Sequence, residues 1–402
     1  MTPWKALRLA SAGALLAGAI GTSWITALRS IWSERVEELA HRGLVRSVAE
    51  RRAPREPAAV EIHRRLDERL AALAARPEVA AAATILAESG TRAADDAQLY
   101  ALVGAGEAEL AALDALLSEP ATADMAESAL PSAPFTRGRE RQTDRAAVLG
   151  LAARAALAEG PVDGAPRFGR ALDLVCLLDD GSALSVVVSG ELEACVLGLV
   201  LRALDDGADG RALARELEPR LSALASPGRA ERALRYDMDA FVSDVREASG
   251  TARPSARGIV GEAFRYGEFH SWIDEYERCV DLARLSPPDL LARAREDGMR
   301  PAHRLPDWAP GYPELVDSIE VARARLALAR AGLALEARRA ETGAWPADLS
   351  GLDEAMDPHS GEPFPYTASG GHAVLGPPAW ASGEAWTDDA RRAALLLWER
   401  DG

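Results

Sequence analysis

The sequence predicts a mainly α-helical protein with an N-terminal membrane helix, an α-solenoid-like body of helical hairpins, and a small β-hairpin after its last long helix. Three observations support this prediction. An uncharged apolar run lies near the N-terminus. Hydrophobic residues make up 48% of the 402 residues but aromatic residues only 5%, so alanine and leucine must fill the core. Apolar residues also recur at helical spacing between turns rich in glycine and proline, which favours helices over strands.

The apolar run at residues 9–28, LASAGALLAGAIGTSWITAL, contains no charged side chain. A helix of about 20 residues spans about 30 Å, the hydrocarbon thickness of a bilayer. Lys5 and Arg8 precede the run, which favours a cytoplasmic N-terminus. We therefore expect a signal-anchor at residues 1–32, a single pass through the inner membrane, and a periplasmic location for the rest. Two alternatives stay open: a signal peptide cleaved near Ala17–Ala19, and a buried helix of a soluble protein.

The charge balance argues against one class of partner. The formal net charge is −16, and an acidic surface repels the phosphate backbone of nucleic acids. Lys5 is the only lysine, so arginine carries nearly all the positive charge. We expect protein partners in the cell envelope, membrane contact through residues 9–28, and no nucleic acid.

The three cysteines, Cys176, Cys195 and Cys279, form no CxxC pair. Their number and spacing fit neither a disulfide framework nor a zinc site. Each lies among apolar residues of a predicted helix, so we expect buried, unreactive thiols. A disulfide between Cys176 and Cys195 is the alternative in an oxidising compartment.

The helices are predicted from apolar periodicity and from the turns that separate them. Glycine and proline turns such as GPVDGAP, DDGADG and SPG lie between the periodic runs, and the hairpins they imply resemble a tetratricopeptide array in shape. The predicted helices cover residues 33–50, 58–75, 94–118, 146–159, 168–178, 182–204, 211–225, 229–247, 263–285 and 312–340. The predicted regions are the anchor at 1–32, an N-terminal helical region at 33–118, a loop at 119–144, the helical-hairpin body at 145–310, and a C-terminal region at 311–402.

The C-terminal region combines a helix stop with turn and strand signals. Gly343 can end the long helix in a left-handed conformation, and Pro346 prevents an immediate restart. Trp345 and Leu349 can then fold back onto the helix. The dipeptides Asp357-Pro358 and Ser360-Gly361 are typical of turns. Alternation at Phe364 and Tyr366, and again at His372 and Val374, predicts a short antiparallel hairpin.

These motifs, ALEARRAETGAWPADLSGL followed by DPHSGEPFPYTASGGHAVLG, resemble the globular part of the major pseudopilin of type II secretion systems. In that family a long helix ends at Gly-x-Tyr/Trp-Pro-x-x-Leu, and an Asp-Pro turn leads into a short sheet. The resemblance covers residues 326–376 and implies a helix-plus-sheet module that serves a secretion assembly. The chain departs from the family at its start, MTPWKALRLASAG, which lacks the prepilin-peptidase site. The whole chain is similar to a group of bacterial envelope proteins with an anchor, a helical body and this tail.

No catalytic, cofactor-binding or metal-binding residue is assigned from the sequence. The strongest constellation is GEAFRYGEFHSWIDEYE, which contains Glu262, Glu268, His270, Asp274 and Glu275. His270 and Asp274 are four residues apart and would share one helix face, a geometry open to metal ligation. An acidic helix surface is the simpler interpretation. Asp357 is interpreted as a turn former, with cation ligation as the alternative.

The functional hypothesis is a non-catalytic, membrane-anchored envelope protein that acts as a protein-interaction scaffold linked to a secretion or pilus-like system. Two alternatives belong to other classes. One is an extracytoplasmic hydrolase that uses acidic residues around Glu262 and Asp274. The other is a ligand-sensing ectodomain that signals through a partner, because only a short segment precedes the predicted membrane helix.

Overall fold

The computed structural model describes residues 30, 33–45, 57–122, 141–158, 161–179, 182–226, 228–251, 273–274, 277–278, 280–285, 289, 312–369, 371–376 and 398–400. The predicted anchor at 9–28, and Glu262, Glu268, His270, Glu275 and Cys279, lie outside these residues. Within the described part, no single helix is long and apolar enough to cross a membrane. Two consecutive helices, Val60–Ala74 and Pro77–Ser89, are long and apolar enough only when they are counted together, and their axes are bent by 87° at the break between them.

The mainly helical prediction is confirmed. A helical segment at residues 33–41 is followed by ten long helices in the described ranges. In chain order these are α1 Pro57–Ala74, α2 Pro77–Ser89, α3 Asp96–Ala105, α4 Glu107–Leu117, α5 Arg141–Ala156, α6 Pro161–Leu178, α7 Ala183–Asp205, α8 Gly210–Leu224, α9 Arg229–Thr251 and α10 Tyr312–Thr342.

The N-terminal helices differ from the prediction in two places. Pro77 ends α1 as predicted, but it also begins α2, because proline is tolerated in a first helical turn whose N–H groups have no partner. The predicted helix at 94–118 is two helices that meet at Gly106. A Cβ atom at Gly106 would lie 3.0 Å from Val79 Cγ2 and 3.3 Å from Leu73 Cδ1. Glycine therefore allows α1 and α2 to pack closely against this break.

Three other helices are longer than predicted. α5 begins at Arg141, inside the predicted loop 119–144, and α6 begins at Pro161, before the predicted residue 168. α9 continues to Thr251, into a stretch predicted as a loop at 249–257. Polar and glycine-rich sequence at a helix end weakens the periodic signal, although packing of the apolar part still supports the helix.

The first core, a cluster of buried residues that extends from Leu66 to Leu375, joins helices that are remote in sequence. α5 packs against α1 to α4 on one side and against α6 and α7 on the other. The predicted pairing of α7 with α8 is replaced by packing of each against α10. α10 is buried on most of its surface between Ile319 and Glu336, so it needs neighbours on several sides. In a solenoid each repeat contacts only its neighbours, whereas here the helices also close around a shared core.

A smaller second core combines the N-terminal segment with α9 and residues near 280. Its members are Val36, Leu39, Leu44, Val45, Val186, Ala230, Ala233, Leu234, Met238, Val242, Ile273, Val280, Leu282, Ala283 and Ile319. Arg35 Nη2 donates to Glu277 Oε2 at 2.6 Å, which ties the N-terminal segment to residues 273–285. Val186 of α7 and Ile319 of α10 also belong to this cluster, so these two helices contribute residues to both cores.

The predicted hairpin is confirmed, and a third strand extends it. β1 Tyr366–Ser369 pairs antiparallel with β2 His372–Leu375, and β2 pairs antiparallel with β3 Trp398–Arg400. The strand order is β1-β2-β3.

Candidate functional site

The C-terminal module, residues 343–376 together with β3, begins where α10 stops. Gly343 has a φ of 76°, and its N–H donates to Arg339 O at 2.8 Å, which is the predicted left-handed helix cap. The guanidinium carbon of Arg339 lies 4.6 Å from the centre of the Trp345 ring. Trp345 Nε1 donates to Gly371 O at 2.8 Å. The helix end is therefore fixed to the turn of the hairpin.

The module is docked on the first core by side chains of both its turn and its sheet. Ala355, Phe364 and Leu375 are buried there, and Trp345 and Leu349 pack against the same cluster as predicted. The Phe364 N–H donates to Ala355 O at 3.0 Å. These contacts hold the turn and the hairpin on one side of α10.

Polar contacts then fix the strands to the surrounding elements. Tyr366 Oη donates to Pro346 O at 2.9 Å. Arg400 Nε donates to Glu336 Oε1 at 2.7 Å, and its Nη2 donates to Leu204 O at 2.7 Å. The arginine of β3 therefore joins the sheet to α10 and to the end of α7.

Asp357 is buried and organises the turn before the hairpin. Its Oδ1 accepts from the His359 N–H at 3.3 Å, and its Oδ2 accepts from the Ser360 N–H at 3.0 Å and from Ser360 Oγ at 2.5 Å. Both carboxylate oxygens thus serve the turn. Among the described residues, no group of three or more histidine, cysteine or acidic side chains is placed to hold a metal ion.

His359 lies where the module meets α10. Its Nε2 lies 3.3 Å from Glu320 Oε2, and both side chains are buried. Arg323 Nη1 donates to Glu320 Oε2 at 3.3 Å, and Arg323 Nε donates to Ala225 O at 3.1 Å. Burial lowers the pKa of His359 to about 4, and burial raises the pKa of Glu320. The imidazole is therefore neutral at neutral pH.

A second buried polar group lies between α6, α7 and α9. Arg229 Nη1 donates to Glu193 Oε1 at 2.9 Å, and its Nη2 donates to Asp179 Oδ2 at 3.2 Å. Arg325 of α10 is buried nearby and donates from Nη1 to Gly190 O at 3.0 Å. Burial raises the pKa of Glu193 and lowers that of Arg325. The side chains of Arg229 and Arg325 therefore link α7 to α9 and to α10.

The two described cysteines are half-buried, whereas full burial was expected. Cys176 and Cys195 are both free, so the alternative disulfide between them is not formed. Burial raises the pKa of the Cys176 thiol to about 12, and burial also raises the pKa of Cys195. A thiol that is protonated at neutral pH is a poor nucleophile.

A cavity of about 240 Å³ lies between the turn that joins α5 to α6 and the turn that joins α7 to α8. Phe168, Leu213 and several alanine and glycine residues line it, and Asp206 is the single ionisable residue in the lining. Asp206 also pairs with Arg202 at 3.5 Å. A single exposed carboxylate does not provide the two groups, a nucleophile and a general base, that covalent catalysis requires.

The predicted acidic constellation is represented in the described residues by Asp274. This side chain is exposed and accepts from Arg35 Nη2 at 3.4 Å. Asp274 therefore contributes to the tie between the N-terminal segment and residues 273–285. Sequence reasoning missed His359–Glu320 and Arg229–Glu193, because the partners are far apart in sequence and no local motif marks them.

Comparisons with protein-family models, with curated proteins and with solved structures found no match for this chain. The feature that combines a motif with an outward surface is the C-terminal module. Its motif residues are engaged in internal contacts, whereas Thr367, Ser369 and Gly371 of the hairpin are exposed. These three residues therefore form part of the outer surface of the module.

Proposed function

We propose that the protein is a non-catalytic scaffold of the bacterial cell envelope. Residues 9–28 anchor it in the inner membrane by a single pass, and the helical body and C-terminal module lie in the periplasm. The pseudopilin-like module links it to a secretion or pilus-like assembly. The second core contains the residues that follow the anchor and therefore lies nearest the membrane.

The observation that carries this proposal is the form of the C-terminal module. Gly343, Trp345, Asp357 and Tyr366, which belong to the motifs behind the resemblance, serve helix capping, turn formation and docking. They leave the outer surface of the hairpin exposed for a partner.

The membrane anchor is tested by placing one charge inside the apolar run. Leu16→Arg introduces a guanidinium near the bilayer centre, where insertion costs about 2.5–3.5 kcal/mol. We expect this variant to leave the membrane fraction or to be degraded. Thr2→Arg adds the same charge before the run and should remain in the membrane fraction. Recovery of the unprocessed wild-type chain from the soluble cytosol would refute the anchor.

The scaffold function is tested by site-specific photocrosslinking in native membranes. A benzophenone amino acid replaces Thr367 on the hairpin or, as a control on another surface, Tyr100 of α3, which is 63% exposed. We expect adducts with envelope proteins at Thr367. Tyr100 should give few or no adducts, and absence of protein adducts at Thr367 in intact membranes would contradict the proposed role of the module.

A further inference from the structure

Two atoms among the buried charges around Glu193 have no hydrogen-bond partner within the described part of the chain. They are Glu193 Oε2 and Arg325 Nε. Glu193 is 1% exposed and Arg325 is 6% exposed. The other carboxylate oxygen of Glu193 accepts from Arg229, and Nη1 of Arg325 donates to Gly190 O at 3.0 Å. Each side chain is therefore held by one of its polar atoms, and a second polar atom is left over.

The two unpaired atoms belong to neighbouring side chains. Gly190 and Glu193 are three residues apart on α7 and therefore lie on one face of that helix. Arg325 of α10 reaches this face, because its guanidinium bonds to Gly190 O. Burial has the largest influence on the pKa of both Glu193 and Arg325, and their mutual attraction is a further one. The site thus holds one free acceptor and one free donor that do not bond to each other.

An unpaired polar group in a protein interior costs free energy, because folding has removed the water that bonded to it. Buried polar groups are accordingly almost always bonded to the protein or to an ordered water molecule. A buried water is held by two to four polar partners. A free donor beside a free acceptor is the pair of partners that one water molecule can satisfy.

We propose that an internal water molecule binds between α7 and α10, where it donates to Glu193 Oε2 and accepts from Arg325 Nε. This water compensates the buried carboxylate for part of the solvent that it loses on folding. It also adds a second polar link between α7 and α10, beside the bond from Arg325 to Gly190 O.

The local charges disfavour an ion at the same place. Arg229 and Arg325 carry two positive charges, and Glu193 and Asp179 carry two negative charges. An added ion would unbalance these buried charges. A cation would leave Arg325 Nε unpaired, and an anion would be repelled by Glu193 Oε2. A neutral water molecule avoids both penalties.

A crystal structure of the full-length protein in detergent, at a resolution that shows ordered solvent, tests the proposal. We expect density for one water molecule within hydrogen-bond distance of both Glu193 Oε2 and Arg325 Nε. Direct contact between these two atoms, or no density between them, overturns the proposal. Crystals soaked in bromide or rubidium identify an ion by its anomalous scattering, and such a signal at this site would also overturn it.

A measurement in solution gives an independent answer. Protein labelled with ¹⁵N in its arginine side chains should show dipolar magnetisation transfer from water to the Arg325 Nε proton, which rotating-frame NMR separates from exchange by its sign. Arg325→Lys removes this proton and so assigns its signal. Arg220 is the matched control, because its Nε already donates to Asp173 Oδ1 at 2.7 Å and should show no such transfer. Absence of transfer at Arg325, or equal transfer at Arg220, contradicts a bound water.

Discussion

At the scale of single residues, His359 shows how position in the fold sets chemistry. Nothing next to it in sequence marks it, yet it is buried against Glu320 at the joint between the C-terminal module and α10. Burial lowers its pKa from 6.5 to about 4. The unfolded chain therefore takes up a proton at a higher pH than the folded protein does. His359 contributes stability above pH 6.5 that is lost as the pH falls towards about 4.

We predict that His359→Gln reduces the acid sensitivity of folding. The free energy of unfolding of the wild type should fall more steeply than that of the variant between pH 6.5 and 4.5, by at most about 1.4 kcal/mol per pH unit. Glu320 acts in the opposite direction, because its pKa is raised and its protonation favours the folded state. Denaturant unfolding at several pH values measures the difference.

The control for this prediction is His41→Gln. His41 is exposed, so this variant makes the same change of side chain without disturbing a buried contact. Parallel pH profiles for wild type and His359→Gln would show that His359 does not titrate as its burial implies.

At the scale of elements, α7 and α10 cross at a glycine. A Cβ atom on Gly190 would lie 2.9 Å from the Cβ of Ala322. That distance is too short for two methyl groups, so the helices could not keep their present separation. Gly190 therefore sets how closely α10 approaches α7.

We predict that Gly190→Ala lowers the free energy of unfolding by about 1–3 kcal/mol through overpacking. Adding Ala322→Gly should recover part of the loss, although glycine inside a helix itself costs about 0.5–1 kcal/mol. The matched control is Gly104→Ala in α3, where a Cβ meets nothing within 4 Å. That change should stabilise the protein by about 0.4–1 kcal/mol. Chemical denaturation compares the variants, and strict additivity of the double variant would argue against a contact.

Helix ends were predictable where the sequence carries a cap. Ser182 Oγ accepts from the Ser185 N–H at 3.1 Å, and Asp209 Oδ1 accepts from the Arg211 N–H at 2.9 Å. The bounds of α7 and α8 accordingly agree closely with the prediction. Apolar periodicity shows which face of a helix is buried but not which helix covers it. The packing of α10 on both α7 and α8 therefore could not be read from the sequence.

The candidate site was predictable in part for the same reason. The helix stop at Gly343, the turn at Asp357 and the hairpin follow from local rules. β3 and its Arg400 contacts depend on pairing across long sequence separations, for which the sequence has no local signal. The ion pair of Arg229 with Glu193, 36 residues apart, is equally a product of packing.

At the scale of the whole molecule, an ion pair at the start of α9 ties a helix of the second core to α7. Arg229, the first residue of α9, bonds to Glu193 and Asp179 of the body. Ala230 and Ala233, which follow at once, belong to the second core. The buried ion pair therefore lies between α7 and the second core. Loss of this ion pair should destabilise the second core before the first.

We predict that Arg229→Ala lowers the free energy of unfolding by about 3–5 kcal/mol, because it leaves the Glu193 carboxylate buried without its cation. Amide hydrogen exchange should accelerate in α9 and in residues 33–45 more than in α5. The control Arg64→Ala removes exposed pairs with Glu61 and Glu68, and it should leave stability almost unchanged because exposed ion pairs contribute little. Equal effects of the two substitutions would mean that the buried pair does not tie the second core to α7.

The ties between helices described above all use arginine as the cation, apart from the contact of His359 with Glu320. A guanidinium keeps its charge across the physiological range, and acetyl transfer to lysine amines does not touch it. Lys5, the single lysine of the sequence, is the one side chain open to such acylation. Acetylation of lysine therefore cannot break the ion pairs that join the described helices. A reversible modification that loosens these helices must act on other groups.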